Sequence, residues 1–264
     1  MLERFVRKTP EVTVWFWVAL TLTATLGQAA AGLLSDTLGL GLTLTTAATM
    51  ATLSVALIVQ FAGRRYSAIR YWVVLILIST VGTLLVDDLV DNLEVPADAV
   101  TVSFVLALAA TFAVWRLRQR TLSLRTVDTP SREGYYWLAV LFACALGKAA
   151  GDLTAERLGL GYAPATAIFT GLIAVVAAGH RWLGLDAVLA FWIAFLLTRQ
   201  FGAALGDLLA RPADDGGLGF GTAQTGLVFL AVFAALIVYL VRTRRDAPPA
   251  YLVRPSRLHT EGDR

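Results

Sequence analysis

Phe16-Trp17-Val18-Ala19-Leu20-Thr21-Leu22-Thr23-Ala24-Thr25-Leu26-Gly27-Gln28 opens on an aromatic doublet and runs ten residues from the tryptophan to a glycine. The same spacing returns in Tyr71-Trp72 to Gly82, Tyr136-Trp137 to Gly147 and Phe191-Trp192 to Gly202. Successive tryptophans lie 55, 65 and 55 residues apart. Self-similarity of this kind marks a repeat architecture and constrains every other reading of the chain.

Each copy is embedded in an apolar run, and the whole chain of 264 residues is 57% hydrophobic and only 16% charged, with a mean hydropathy of +0.69. That composition lies outside the range of a soluble domain and predicts a polytopic membrane protein. A single cysteine, Cys144, and two histidines, His180 and His259, exclude a disulfide framework, a cysteine-based metal cluster and a multi-histidine site. The sequence pI of 9.2 has its source in basic residues at helix ends, where membrane orientation accounts for them without nucleic acid.

Apolar runs of 18 to 24 residues predict eight spans, each long enough to cross about 30 Å of hydrocarbon, at 12–34, 41–62, 70–91, 98–116, 135–155, 162–180, 185–208 and 221–241. Arg4, Arg7 and Lys8 ahead of the first run resemble a signal-peptide n-region. The run carries the first aromatic-to-glycine copy, so it is expected to stay as a membrane span. Leu38-Gly39-Leu40-Gly41, Leu158-Gly159-Leu160-Gly161 and Leu218-Gly219-Phe220-Gly221 read as turns inside units 1, 3 and 4, with Leu93-Glu94-Val95-Pro96 in their place in unit 2. The expected fold class is therefore all-α: four parallel two-helix repeats, at about 12–62, 70–116, 135–180 and 185–241, in one transmembrane domain over 1–246. A flexible cytoplasmic tail is expected over 247–264, loosening from about Arg242.

Of the 22 Lys and Arg residues, 18 fall on the side that holds the N-terminus, the loops near 63–70, 116–134 and 180–184, and the tail. The positive-inside rule then places both termini in the cytoplasm, with pseudo-symmetry about the membrane normal. The opposite side is acidic: Asp36, Asp91, Glu94, Asp98, Glu156, Asp214 and Asp215.

Counting from each glycine, the positions one, five and nine residues on are Gln28, Gly32 and Asp36 in unit 1 and Thr83, Asp87 and Asp91 in unit 2. Unit 3 has Lys148, Asp152 and Glu156, and unit 4 has Ala203, Asp207 and Arg211. Three residues before the glycine stand Ala24, Ser79, Cys144 and Arg199. Steps of three and four residues place each set on one helix face, and ionisable groups at membrane depth, which cost roughly 2.5 to 3.5 kcal/mol, must face protein or water. At 1.5 Å per residue the glycine lies about 15 Å beyond the tryptophan, near mid-bilayer, and the aspartates about 22 Å beyond it.

The candidate cavity residues are thus Lys148, Asp152, Asp87, Asp207, Arg199, Gln28, Thr83, Asp88, Glu156 and Asp91. Asp87, Asp152 and Asp207 form the expected carboxylate cluster for a cation or for protons, and for a hard ion such as Mg or Mn if a metal is carried. Taken singly, the same charges read as interfacial caps or internal ion pairs. The tryptophans read as interfacial anchors, the glycines as close-packing points, and the threonines of the second helices as either water-lining or helix-bonding groups. No phosphate loop, zinc-protease motif or nucleophile elbow is present, and no cofactor is expected.

The four tandem two-helix units, with Lys8-Thr9-Pro10-Glu11-Val12-Thr13 ahead of Trp15-Phe16-Trp17, resemble a family of bacterial integral membrane proteins built from a repeat of unknown function, over roughly residues 8–245. The resemblance implies an architecture and no activity. The resemblance also implies a bacterial inner membrane as the location, and a Gly-Glu with a downstream Asp in unit 1, where this chain has Gly27-Gln28 and Gly32. Three functions fit: a transporter or permeation pathway for a small cation or solute, a membrane scaffold or partner-binding subunit, and an enzyme or chromophore protein using the amine of Lys148. The lipid bilayer and a small cation, proton or solute are the expected partners.

Overall fold

A computed structural model describes residues 7–63, 65–158, 162–213 and 216–248, with the side chains of 36–38 and 155–158 outside the description. Eight α-helices follow one another: α1 (Val14–Leu38), α2 (Leu42–Ala62), α3 (Ala68–Asp87), α4 (Ala97–Gln119), α5 (Pro130–Leu158), α6 (Tyr162–Trp182), α7 (Ala187–Ala210) and α8 (Thr222–Thr243). All eight are long and apolar enough to cross a membrane, and no strand occurs among the described residues. A helix satisfies its own backbone polar groups, which hydrocarbon requires of a spanning segment.

The observed helices match the expected spans except where polar residues begin or end them. α5 starts at Pro130, five residues before the apolar run, because proline suits a first helical position and Thr129 Oγ1 accepts from the amide of Arg132 at 3.4 Å. α3 passes at Asp87 into a π-helical turn, Asp88–Asn92. In the turn after α1, Gly39 and Gly41 have φ of 58° and 77°, and Gly219 and Gly221 before α8 have 78° and 82°, a left-handed backbone that glycine adopts without penalty. The unit 4 loop folds back on α7, and the amides of Leu218, Phe220 and Gly221 reach the carbonyls of Leu208, Leu209 and Ala210 at 2.7, 3.0 and 3.0 Å. It thereby satisfies the orphan carbonyls at that helix end.

The odd-numbered helices form an inner ring in which α1 packs on α3, α3 on α5, α5 on α7 and α7 on α1. Between 44 and 61% of each odd span is buried, against 0 to 28% of each even span, so the even helices form the outer layer. Each even helix lies mainly against the first helix of the next unit: α2 on α3, α4 on α5, α6 on α7, and α8 back on α1.

Two sets of contacts repeat around this ring. The first aromatic of each doublet meets the tryptophan of the next: Phe16 with Trp72 at 5.8 Å, Tyr71 with Trp137 at 5.2 Å, Tyr136 with Trp192 at 6.3 Å and Phe191 with Trp17 at 5.8 Å between ring centroids. Each glycine lies against the residue three places before the glycine of the next unit: Gly27 against Ser79, Gly82 against Cys144, Gly147 against Arg199 and Gly202 against Ala24. A Cβ on Gly82, Gly147 or Gly202 would lie 3.1, 3.3 or 2.6 Å from the Cβ of its partner. Glycine at these points lets the helix backbones approach, as small residues do in membrane bundles.

Three expectations change. Trp72, Trp137 and Trp192 are 0, 3 and 4% exposed; they are core residues at one end of the ring, because each has a doublet aromatic to pack on, worth about 0.5 to 1.5 kcal/mol per pair. Only Trp17 is partly exposed. The chain is also held beyond Arg242: Asp246 is buried, its carbonyl accepts from the amide of Glu11 at 2.9 Å, and its carboxylate accepts from the hydroxyl of Tyr66. The threonine hydroxyls of the even helices are largely absorbed in their own helices, Thr49 Oγ1 donating to Thr45 O at 2.8 Å and Thr170 Oγ1 to Thr166 O at 2.8 Å.

Candidate functional site

The polar stripes converge at the ring end away from the aromatic layer. Lys148 on α5 sits in the middle, its Nζ 2.9 Å from Asp152 Oδ2, one turn further along the same helix, and 3.2 Å from Asp87 Oδ1 at the end of α3. In its fully ionised state the triad, two carboxylates and one ammonium, carries one net negative charge. The groups line a cavity of about 170 Å³ with Val86, Val90, Asp91, Ala97 and Ala149. The π-helical turn lies directly beside it, a distortion that in helices often accompanies functional positions.

Asp207 on α7 is held differently. Gln28 Nε2 on α1 donates to both of its carboxylate oxygens, at 3.0 and 2.9 Å, and Arg211 Nε stands 3.9 Å away. Asp207 lies within electrostatic reach of Lys148 and Asp152 without touching them. The expected cluster of three carboxylates is therefore two adjoining sets, and no group of three or more His, Cys, Asp or Glu among the described residues is arranged to hold a metal ion. Lys148 stands between Asp87 and Asp152, and the Gln28 amide engages Asp207 from α1, so no two of the three carboxylates meet bare.

The two sets obey one rule. The residue after the glycine in one unit reaches the residue five after the glycine in the preceding unit, Lys148 to Asp87 and Gln28 to Asp207. At the two alternate junctions the same positions hold Thr83 with Gly32, and Ala203 with Asp152.

Arg199 lies on the aromatic side of the glycine layer. It is 6% exposed, donates from Nη2 to Ser79 Oγ at 2.5 Å, and has no hydrogen-bond partner for Nε or Nη1. No acidic side chain among the described residues pairs with it. Gln200, a neighbour that the stripe pattern did not single out, donates from Nε2 to the carbonyl of Gly147 and joins α7 to α5. Thr25 Oγ1 joins α1 to α7 in the same way, donating to the carbonyl of Gly202 at 2.7 Å.

Other expected cavity residues are not in the triad. Asp88 accepts from Thr43 Oγ1 at 2.7 Å and from Asn92 Nδ2 at 3.1 Å at the exposed end of the π-turn. Thr83 is buried. The side chains of Asp36 and Glu156, and residues Asp214 and Asp215, lie outside the described part.

A second polar cluster closes the aromatic end. Lys8 Nζ donates to Glu133 Oε2 at 2.7 Å and to Phe61 O at 3.0 Å, while Gln60 Nε2 donates to Glu133 Oε1 at 3.0 Å. Arg7 holds Glu11 at 2.6 Å, and Thr9 Oγ1 donates to Leu124 O at 2.9 Å. Burial, with the Asp246 carboxylate beside it, pushes the Tyr66 phenol above its ordinary range. The burial of Lys8 is legible only through its partners, Phe61 and Glu133, which lie 53 and 125 residues away.

Eight apolar helices with charge gathered between them point to a multi-pass membrane protein. The chain belongs to the family described as Repeat of Unknown Function (DUF347), whose model matches residues 15–66, 70–121, 135–184 and 190–246. Each match takes in one odd and one even helix. No curated protein and no solved structure matches the chain.

Proposed function

We propose that the chain is a transport or permeation protein for a small cation or solute, working with proton coupling from the pocket of Lys148, Asp87 and Asp152. The observation that carries this reading is the Lys148 amine standing between two carboxylates in a cavity of about 170 Å³, with all three residues inside candidate membrane spans. That is the point a cargo cation would take. Cargo and ammonium then compete for one net negative charge, so cargo enters as Lys148 swings away or gives up its proton, and leaves as the ammonium returns. The glycine and aromatic layers separate the pocket from the opposite side, as alternating access requires of one of its end states.

The orientation in this reading follows from the basic loops: both termini cytoplasmic, the pocket opening to the far side of a bacterial inner membrane, and the units parallel about an axis along the membrane normal. In proteoliposomes, Asp87→Asn with Asp152→Asn is expected to reduce cation flux, and the accompanying proton movement, at least tenfold. Unchanged flux through the folded double variant overturns the proposal.

The scaffold reading draws on the completeness of the triad, since every charge in it has a partner. It expects Lys148→Met to destabilise the bundle with no flux to lose. The amine-nucleophile reading is the weakest, because an ammonium held by two carboxylates is a poor nucleophile. Borohydride trapping that yields an adduct on Lys148 from native membranes would revive it.

A further inference from the structure

A second cavity lies outside the charged layer. A groove of about 800 Å³ runs between α1, α6 and α7, at the large end of the volume that small-molecule sites take. Its walls are apolar for most of their length, with Val18 on α1, Ile173 and Val176 on α6, and Phe191 and Ala194 on α7. It exists because α6 packs mainly on α7 while α8 packs mainly on α1 and reaches α3. No α6 side chain is buried.

The polarity of the groove is graded. On α7 it extends from Ala187 to Phe201, about 21 Å at 1.5 Å per residue, which matches one leaflet of hydrocarbon plus its headgroup layer. The mid-membrane end is Phe201, beside Gly202. The other end, at the loop level, is closed by Ser123, Arg125 and His180. Neighbouring acids there are already engaged: Glu11 by Arg7, Asp128 by Arg132, and Asp186 by the amides of Val188 and Leu189. Arg125 is exposed and has no acidic partner among the described residues. The mouth is therefore a cationic point above an apolar slot.

We infer that this groove binds one anionic phospholipid, its phosphate at Arg125 and His180 and an acyl chain along α7 toward Phe201. Charge complementarity at the mouth, apolar walls and a depth equal to one leaflet select a lipid over a second copy of the chain, whose helix would bring no anion to Arg125. The inference rests on the helices spanning a membrane and is independent of what the Lys148 pocket does.

The test is lipid retention by the full chain, extracted from membranes containing equal phosphatidylglycerol and phosphatidylcholine and analysed by native mass spectrometry. Wild type should hold one phosphatidylglycerol in at least tenfold preference. Arg125→Gln, a surface change that leaves the helices untouched, should reduce that preference at least fivefold, and Ala194→Phe should displace lipid of both kinds. Equal retention of the two lipids by wild type, or an undiminished preference in Arg125→Gln, overturns the inference. So does a photocrosslinker at Ala177 that captures a second copy of the chain in place of lipid.

Discussion

Lys148 on α5 and Asp87 on α3 meet at 3.2 Å across a helix junction that no stretch of sequence spans. Removing the ammonium leaves Asp87 facing Asp152 with nothing between. Breaking a fully buried pair costs about 3 to 5 kcal/mol, but Asp152 is 41% exposed at its side chain, and solvent screens that part. Lys148→Met is therefore expected to destabilise by about 2 kcal/mol, and the added change Asp87→Asn to restore part of it. Thermal unfolding of wild type and the two variants in one detergent checks this, and equal melting temperatures would remove the triad from the stability of the bundle.

Arg199 should behave in the opposite sense. Among the described residues its guanidinium has Ser79 as its single hydrogen-bond partner and no carboxylate. Replacing an uncompensated buried charge by an apolar side chain of similar length is neutral or stabilising, so Arg199→Met should keep or raise the melting temperature. Ser79→Ala, which strips the remaining acceptor, should lower stability by about 1 to 3 kcal/mol. A flux assay on Arg199→Met, which folds on this expectation, then reads any transport role of the arginine separately from its structural one.

Two glycines give a matched contrast. A Cβ on Gly202 would lie 2.6 Å from Ala24 Cβ and 2.7 Å from Thr21 O, whereas nothing lies within 4 Å of one on Gly32. Gly202→Ala is expected to force α7 off α1 and destabilise by about 1 to 3 kcal/mol. Gly32→Ala should stabilise by up to about 1 kcal/mol, the helix propensity gained. Denaturation midpoints that rank the two variants the other way would contradict the glycine contacts of the ring.

The link from Tyr66 to Asp246 supplies a pH dependence. A phenol whose folded pKa stands above its ordinary value of 10.0 favours the protonated folded form. Its contribution is complete below pH 10 and is lost as pH rises beyond it. Trypsin cleavage at Arg244 and Arg245 should accelerate above pH 10 in wild type. In Tyr66→Phe it should be faster at neutral pH and show less further change.

Much of the bundle is legible from the repeats alone, because length and hydropathy suffice to define a spanning helix. Which way a residue faces is less legible. Lipid is as apolar as a protein core, so an apolar side chain such as Trp72 carries no mark of whether it points inward. Polar residues do carry that mark, and the stripes contain Lys148, Asp87, Gln28 and Asp207, which meet in pairs across the ring. Pairing was hidden, since the register placed Asp87, Asp152 and Asp207 at one level but left their order around the ring open. Buried Lys8 and Glu133 were hidden for a related reason: 125 residues separate them, and each looks like an ordinary interfacial charge in its own segment.

The seating of every second helix on the following unit has a topological consequence. A single repeat cut at its sequence boundaries would lose the partner of its outer helix, so the smallest piece with complete packing is staggered by half a repeat. At the ring's closure the last outer helix returns to the first inner one, and residues 11 and 246 already share a backbone hydrogen bond of 2.9 Å. The backbone is thus wired nearly as a circle, and a permuted chain, joined there and opened in a loop between two other units, would retain every helix-to-helix contact.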